Sequence, residues 1–144
     1  MIALDTNILV HAHRKEASLH EPARQTVMDL AESMSPWCIC FHSLIEFYGM
    51  ATHPKIWRKA SSPAEAFRQI HAWRAAPSLR ILGDSAIVLE SLESITTMAK
   101  IQGPLIHDAR ITACCLANGV TEIWTVDRDF SRFPDLKTRN PLIG

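Results

Sequence analysis

The sequence contains no apolar run long enough to cross a membrane and no recognisable export signal. A membrane-spanning helix needs about 20 consecutive apolar residues, and no segment approaches that length. The first ten residues lack the positive start, long apolar stretch and small-residue cleavage site of a signal peptide. We therefore expect a soluble, cytoplasmic protein with no membrane partner.

Several common enzyme signatures are also missing. The chain has no Gly-x-x-x-x-Gly-Lys-Ser/Thr phosphate loop, no Gly-x-Gly-x-x-Gly after the first strand and no Gly-x-Ser-x-Gly nucleophile turn. Its cysteines form a Cys-x-Cys pair, Cys38 and Cys40, and an adjacent pair, Cys114 and Cys115. Neither pair has the Cys-x-x-Cys spacing of a zinc or redox site. We therefore predict buried free thiols.

Length and charge describe one domain with an uneven charge distribution. The 144 residues are enough for a single core, so we predict one domain over 1–144. The 15 basic and 15 acidic residues balance overall. However, the segment 53–80 contains a single acid, Glu65, against six basic residues: Lys55, Arg58, Lys59, Arg68, Arg74 and Arg80. The middle of the chain is therefore basic.

Short apolar runs alternate with helix-like segments along the chain. Strands are predicted at 2–4, 37–41, 79–82 and 121–126, with a possible edge strand within 136–143. Helices are predicted at 5–13, 16–34, from 43, 62–75, 84–100 and 107–118, the last stopped by Gly119. Ser62, Pro63 and Glu65 form a strong helix start. This alternation predicts a mostly parallel sheet covered by helices on both faces.

Acidic residues from distant parts of the sequence lie where such a fold brings them together. Asp5, Glu46, Asp108 and Asp127 each follow an apolar, strand-like run or open a helix-like one. The carboxyl ends of parallel strands line one crevice, which is where ligands bind in open sheets. Packed carboxylates repel one another and raise their own pKa values unless a positive charge lies among them. A divalent metal is the simplest partner.

Each acid also has an ordinary structural explanation. Asp5 suits a helix N-cap, Glu46 suits a capping box with Ser43, Asp108 suits a first helical turn and Asp127 suits a turn. Jointly these explanations are weaker, because the helix after Asp108 is apolar nearly all round and burying an unpaired carboxylate is costly. All-oxygen ligation favours Mg²⁺ or Mn²⁺. Such a centre is a standard means of hydrolysing a phosphodiester.

Several sequence motifs together resemble a known family. They are the opening Ile-Ala-Leu-Asp-Thr-Asn, Glu46 after Ser43, the segment His-Asp-Ala-Arg-Ile-Thr-Ala from His107, and Thr-Val-Asp-Arg-Asp-Phe from Thr125, followed by Phe133-Pro134 and Asn140-Pro141. In this order they closely resemble the PIN-domain ribonucleases, and within them the VapC-type toxins of bacterial toxin-antitoxin pairs. The resemblance covers essentially the whole chain. It implies a Rossmann-like, three-layer α/β/α PIN domain with a parallel sheet of four or five strands.

The resemblance also implies roles for individual residues and partners. Asp5, Glu46, Asp108 and Asp127 become the quartet that binds Mg²⁺ or Mn²⁺, with Thr6, Asn7 and Thr125 as supporting polar residues. Asp129 is an alternative to Asp127, since side chains alternate along a continuing strand. The implied activity is metal-dependent endonucleolytic cleavage of RNA by water. The implied partners are a cognate antitoxin, whose tail covers the acidic cleft, and a second copy in a homodimer.

The basic middle segment is the predicted RNA contact. Arg58, Lys59, Arg68 and Arg74 are the candidates, while Trp57 and Trp73 can either stack bases or belong to the core. The histidines, including His11, His13 and His107, are better explained as scattered surface residues than as zinc ligands.

Two other functions stay open from the sequence. One is a Mg²⁺-dependent phosphatase with Asp5 as covalent nucleophile, although Asn7 stands where a second aspartate is expected. The other is a non-catalytic RNA-binding or interaction module, because a fold alone does not establish activity.

Overall fold

The computed structural model describes residues 1–143 and contains one parallel sheet. Its strands are β1 (Ile2–Leu4), β2 (Trp37–Cys40), β3 (Leu79–Leu82), β4 (Glu122–Trp124) and β5 (Lys137–Arg139). They lie side by side in the order β3-β2-β1-β4-β5, and every neighbouring pair is parallel. The predicted parallel sheet is confirmed, including the edge strand near the end of the chain.

Helices cover both faces of the sheet and make the molecule three-layered. They are α1 (Thr6–His13), α2 (His20–Glu32), α3 (Phe41–Ala51), α4 (Pro63–Arg74), α5 (Ala86–Ala99) and α6 (Ile106–Ala117). Alternating strand residues enter two separate cores. Leu4 and Ile39 pack with α1 to α4 on one face, whereas Ala3, Cys38 and Ile123 pack with α5 and α6 on the other. The three-layer α/β/α prediction is therefore confirmed.

Several predicted boundaries were wrong, and α2 differs most. It begins at His20, not at residue 16, and ends at Glu32. A helix from residue 16 would place Pro22 in its interior, where proline lacks the N–H for a helical hydrogen bond. With the observed start, Pro22 lies in the first turn. A backbone N–H there has no partner within the helix, so its absence in proline costs no helical hydrogen bond.

Two helix starts also differ from their predicted positions. Phe41 is the first residue of α3 and not the last of β2. The N-cap of α5 is Ser85, whose hydroxyl accepts a hydrogen bond from the Val88 N–H, and not Asp84. By contrast, the capping box of Ser62 and Glu65 and the positive φ of Gly119 are both found as predicted.

The apolar residues whose roles were open lie mostly in the interior. All four cysteines are buried free thiols, as predicted. Trp73 is a core residue with 6% of its surface exposed. Trp57 is half-buried and makes two specific contacts: the Arg14 guanidinium lies over its ring, 4.7 Å from the centroid, and its Nε1 donates to the Met50 carbonyl. Within residues 1–143, no helix is long and apolar enough to span a membrane.

The strand order determines where a ligand crevice forms. The chain passes from β1 to β2 on one side, whereas β4 pairs with β1 on the other. A crevice opens beyond the carboxyl ends of strands at such a reversal. Asp5 directly follows β1, and Thr125 directly follows β4.

Candidate active site

Asp5 is the most deeply placed acid of the site, with 5% of its surface exposed. It is the N-cap of α1, and its Oδ1 accepts a hydrogen bond from the Thr6 N–H at 2.8 Å. Its Oδ2 accepts from the Thr125 hydroxyl at 2.7 Å and from Asn7 Nδ2 at 3.3 Å. The capping role proposed for Asp5 is therefore found, and both of its oxygens are fixed by neighbouring side chains and backbone.

Thr125 links the end of β4 to the start of α1. Its hydroxyl oxygen accepts hydrogen bonds from Asn7 Nδ2 at 3.2 Å and from the Asp127 N–H at 2.9 Å. Asn7 Oδ1 in turn accepts from the Val126 N–H at 3.3 Å. These contacts fix the segment that carries Asp127 next to the buried Asp5. Asn7 and Thr125 therefore connect the two halves of the site.

Three other carboxylates form the tightest acidic group. One oxygen from each of Asp108, Asp127 and Asp129 lies within 4.8 Å of the other two. Asp108 lies in the first turn of α6. Asp127 caps the 3₁₀ segment Arg128–Arg132, and its Oδ1 accepts from the Asp129 N–H at 2.8 Å. Both members of the predicted alternative, Asp127 and Asp129, therefore lie beside Asp108.

The route by which Asp129 reaches this group differs from the prediction. Strand alternation was the expected reason, but β4 ends at Trp124. The 3₁₀ turn after Asp127 brings Asp129 round instead.

Glu46 approaches the site from α3. Its Oε1 accepts a hydrogen bond from the Thr6 hydroxyl at 3.1 Å. The capping box suggested for Ser43 and Glu46 is wrong, because α3 begins at Phe41 and both residues lie inside the helix. Thr6 therefore contacts both acids that flank it in space: its backbone binds Asp5 and its side chain binds Glu46.

Burial and mutual repulsion act on the central carboxyl groups. Burial raises the pKa of Asp5 to about 6, reinforced by the charges of Asp108 and Glu46 and opposed by the hydrogen bonds from Thr125 and Thr6. Burial likewise raises the pKa of Asp108 to about 6, together with the charges of Asp127, Asp129 and Glu46. The charge of His107 lowers the pKa of Asp108 but does not outweigh these effects. A site of oxygen ligands with this excess of negative charge fits a hard divalent cation.

These shifts predict that the metal-free protein loses stability as the pH rises. A carboxyl group whose folded pKa exceeds its unfolded value stabilises the fold below the unfolded pKa, and this stability is lost as the pH rises through the folded pKa. We expect the free energy of unfolding to fall between about pH 4 and pH 6, by on the order of 3 kcal/mol from Asp5 alone. Urea unfolding of the chelator-treated protein at several pH values measures this change in the free energy of unfolding.

A variant and its control isolate this contribution. Asp108→Asn removes one repelling charge, so it should weaken the fall in stability, whereas Asp135→Asn, at an exposed acid, should leave it unchanged. Adding Mg²⁺ to the wild type should also reduce the fall in stability with rising pH. An equal pH dependence in wild type, Asp108→Asn and Asp135→Asn contradicts the electrostatic interpretation.

The candidate RNA contacts lie outside the acidic group. Arg58 and Lys59 lie between α3 and α4, and Arg68 and Arg74 lie on α4. All four are exposed, and none forms an ion pair of 4.0 Å or less with another described residue. The charges of Lys59 and Arg68 nevertheless help to lower the pKa of Glu65, after its hydrogen bonds with Ser62.

Sequence reasoning missed a group of polar side chains beside Glu46. Arg110 on α6 contacts both Asp84 and His42, and His42 Nε2 lies 3.7 Å from Glu46 Oε1. The exposed His107 ring stacks on His42 with centroids 5.8 Å apart. The spacing of His42 and Glu46, four residues apart on a helix, was the only signal in the sequence that could have suggested their contact.

With its parallel sheet and acidic crevice, the chain belongs to the PIN domain family, whose sequence model matches residues 2–136. Among individual relatives, it is similar to the ribonuclease VapC43 of Mycobacterium tuberculosis. The two are 29% identical over 144 residues, which cover 100% of this chain and 97% of the relative. The family resemblance predicted from the sequence motifs is therefore confirmed.

Solved structures share the same fold. VapBC2 from Rickettsia felis, bound to a DNA fragment from its promoter, matches with a TM-score of 0.71 and 21% identity, covering 97% of this chain and 98% of that chain. A toxin-antitoxin complex from Klebsiella pneumoniae matches with a TM-score of 0.65 and 19% identity, covering 98% of each chain. At these identities the likeness shows the fold.

Proposed function

We propose that this protein is a VapC-type toxin, a metal-dependent endoribonuclease that hydrolyses phosphodiester bonds in RNA. The observation that carries the proposal is the group of Asp108, Asp127 and Asp129 within 4.8 Å, with Asp5 and Glu46 beside it. Full-length relatives named VapC ribonucleases add independent support. A single domain over 1–144 and a cytoplasmic location are part of the same proposal.

The metal is proposed to be Mg²⁺ or Mn²⁺. Every candidate ligand is a carboxylate, which suits these ions better than the softer metals that prefer sulfur or imidazole. Asp5, Asp108 and Asp127 are the proposed principal ligands, and Asp129 and Glu46 complete the set. When bound there, the ion supplies Lewis-acid chemistry, lowering the pKa of a water and stabilising the leaving oxygen.

The protein's own residues keep these ligands in position. Thr125, Asn7 and the Thr6 backbone hold Asp5 through both oxygens, and the Thr6 hydroxyl holds Glu46 through Oε1. Fixing ligand orientation before substrate arrives reduces the reorganisation needed during reaction. Thr6, Asn7 and Thr125 therefore act as positioning residues.

The burial of Asp5 argues against the phosphatase alternative. A covalent nucleophile must be reached by the phosphorus atom of its substrate, and Asp5 is only 5% exposed. Failure to trap a phospho-aspartate under conditions in which RNA is cleaved supports the ribonuclease, and trapping one contradicts it.

RNA cleavage is tested with one labelled RNA and a DNA of the same sequence. We expect the purified protein to cut the RNA internally in Mg²⁺ and to leave the DNA intact. Sequencing both product ends identifies the cleaved bond. Binding of RNA without cleavage under all divalent-metal conditions supports the non-catalytic alternative instead.

A cognate antitoxin and a second copy of the chain are the proposed protein partners. Support for the antitoxin comes from the shared fold with a chain of a toxin-antitoxin complex. We propose that its tail covers the acidic cleft. Co-expression with the gene beside this one, followed by measurement of mass and cleavage activity, tests both partners.

The exposed basic residues are proposed to hold RNA phosphates, because the metal-free acidic cleft repels a polyanion. Replacing Arg58, Lys59, Arg68 and Arg74 with Ala should weaken RNA binding at low salt. It should also reduce the slope of log K against log salt by about 0.7 for each lost contact with single-stranded RNA. Binding is measured in an Asp108→Asn background, so that cleavage does not interfere.

The control is a variant with the same change in charge at exposed residues outside the basic segment 53–80, Lys15, Arg24, Arg132 and Lys137. It should retain the wild-type salt slope. If the first variant keeps that slope but loses the antitoxin, its basic residues serve the protein interface and the RNA assignment is wrong.

A further inference from the structure

Arg110 joins two parts of the structure next to the acidic site. It lies on α6 two residues after Asp108 and is half-buried. Its Nε donates a hydrogen bond to Asp84 Oδ2 at 2.9 Å, and its Nη2 contacts the same oxygen. Its Nη1 lies 2.9 Å from His42 Nδ1 on α3. A single guanidinium thus connects the loop after β3 with the helix that carries Glu46.

The contact with Arg110 determines which hydrogen the His42 ring carries. A guanidinium has only donors, so His42 Nδ1 must accept, and the ring hydrogen lies on Nε2. That Nε2 is buried, has no hydrogen-bond partner within residues 1–143, and lies 3.7 Å from Glu46 Oε1. Arg110 therefore presents an imidazole N–H toward the Glu46 carboxylate.

Glu46 Oε1 is thus approached from two sides. The Thr6 hydroxyl donates to it from α1 at 3.1 Å, and the His42 Nε2–H faces it from within α3. Among the described residues, Oε2 receives no hydrogen bond from the protein. The hydrogen bond from Thr6 and the nearby His42 nitrogen both lie at Oε1, which leaves the second oxygen available to the acidic group.

We propose that Arg110 is a positioning residue for the proposed ribonuclease: held by Asp84, it fixes the ring of His42, which orients the Glu46 carboxylate toward the metal centre. This inference rests on the proposed function. Outer partners of metal ligands set ligand orientation, and their loss typically costs 10- to 100-fold in activity or metal affinity. Arg110 itself need not contact RNA or metal.

Loss of Arg110 should affect RNA cleavage and folding stability to different extents. Arg110 and Asp84 are both partly exposed, with 36% and 46% of their side-chain surfaces accessible. Ion pairs in such positions contribute little to folding. Removing Arg110 should therefore impair the site far more than the fold, whereas a merely structural role predicts the reverse.

The first experiment compares Arg110→Ala and Arg110→Lys with Arg24→Ala, which removes an arginine from an exposed ion pair with Glu21 on α2. We expect Arg110→Ala to lower kcat for RNA cleavage by about 10- to 100-fold, with KM within about threefold and an unchanged unfolding midpoint. Lysine should not rescue activity, because one ammonium does not reproduce the rigid guanidinium fork. Arg24→Ala should match the wild type. Cleavage by Arg110→Ala within twofold of Arg24→Ala overturns the proposal.

A double-mutant cycle tests whether Arg110 acts through Glu46. Arg110→Ala is measured alone and in a Glu46→Ala background, both for single-turnover cleavage and for Mn²⁺ affinity by electron paramagnetic resonance. We expect the loss caused by Arg110→Ala to shrink to less than about threefold once Glu46 is absent. The same fold-loss in both backgrounds shows that Arg110 acts elsewhere, and overturns the proposal.

The Asp84→Asn variant and the Mn²⁺ affinity of the wild type test the role of Arg110 separately from RNA cleavage. Asp84→Asn leaves Arg110 in place but weakens the ion pair that holds it, so it should cause a smaller loss of the same kind. No loss at all contradicts the proposed role of Asp84 in holding Arg110. A wild type that binds Mn²⁺ with the expected coupling but never cleaves RNA contradicts only the ribonuclease proposal. A wild type that neither binds Mn²⁺ nor cleaves RNA contradicts both.

Discussion

Replacing Asp108 with Asn should abolish RNA cleavage, with a loss of more than about 100-fold, since removing a direct ligand should exceed the cost of removing its outer partners. Asp108 shares its space with Asp127 and Asp129, and burial and neighbouring charges raise its pKa to about 6. The amide keeps the shape of the side chain but removes a negative charge that the metal requires. Single-turnover cleavage by wild type and variant measures the loss. The metal-free variant should fold at least as stably, because one repulsion is gone.

Asp5→Asn should also abolish RNA cleavage, because it removes another proposed metal ligand. It should gain less stability than Asp108→Asn, because an amide nitrogen in place of Oδ2 cannot accept hydrogen bonds from the hydroxyl of Thr125 and the amide of Asn7. Asp135→Asn, at an exposed acid outside the group, is the control and should retain wild-type cleavage. Wild-type cleavage by folded Asp108→Asn contradicts the assignment of Asp108 as a ligand.

Chelation should remove activity just as completely. After treatment with EDTA the carboxylates remain in place but lack the cation that offsets their charge, so RNA cleavage should fall to background. Mg²⁺ or Mn²⁺ should restore it, and Zn²⁺ at the same free concentration should not, because the ligands are all oxygen atoms. Cleavage rates are measured against the free concentration of each ion.

The control for this experiment is the structure of the metal-free protein. Circular dichroism should show that the chelated protein stays folded, so that loss of activity reports the site. Full activity in protein that retains no metal by elemental analysis contradicts the mechanism, although it leaves the fold unchanged.

Much of the fold could be predicted from local sequence patterns. Short apolar strands followed by helix starts predict a parallel sheet, and the capping box at Ser62 and Glu65 marks α4 to the residue. Strand ends then place Asp5 near Thr125, since the carboxyl ends of neighbouring parallel strands share one edge. The start of α2 was wrong because apolar spacing continues beyond the helix end, and Pro22 sets a limit that the spacing does not show. The start of α3 was wrong because the apolar run of β2 continues into Phe41, the first residue of the helix.

The finer structure of the site depends on contacts between distant elements. Asp129 joins Asp108 through a 3₁₀ turn, whereas the sequence suggested a continuing strand. The contact of Arg110 with His42 spans 68 positions, and its contact with Asp84 spans 26. Neither residue type nor spacing specifies these pairings, because they depend on how α3 and α6 lie on the sheet.

The most direct test of the account measures Mn²⁺ binding and RNA cleavage on the same preparations of wild type and Asp108→Asn. Electron paramagnetic resonance reports bound Mn²⁺, and single-turnover cleavage is followed over the same range of Mn²⁺ concentration. We expect the wild-type rate to rise in proportion to bound Mn²⁺, and we expect Asp108→Asn to lose both tight binding and cleavage. Wild-type cleavage that is already maximal before Mn²⁺ binds, or that survives in a folded variant that binds none, would contradict it.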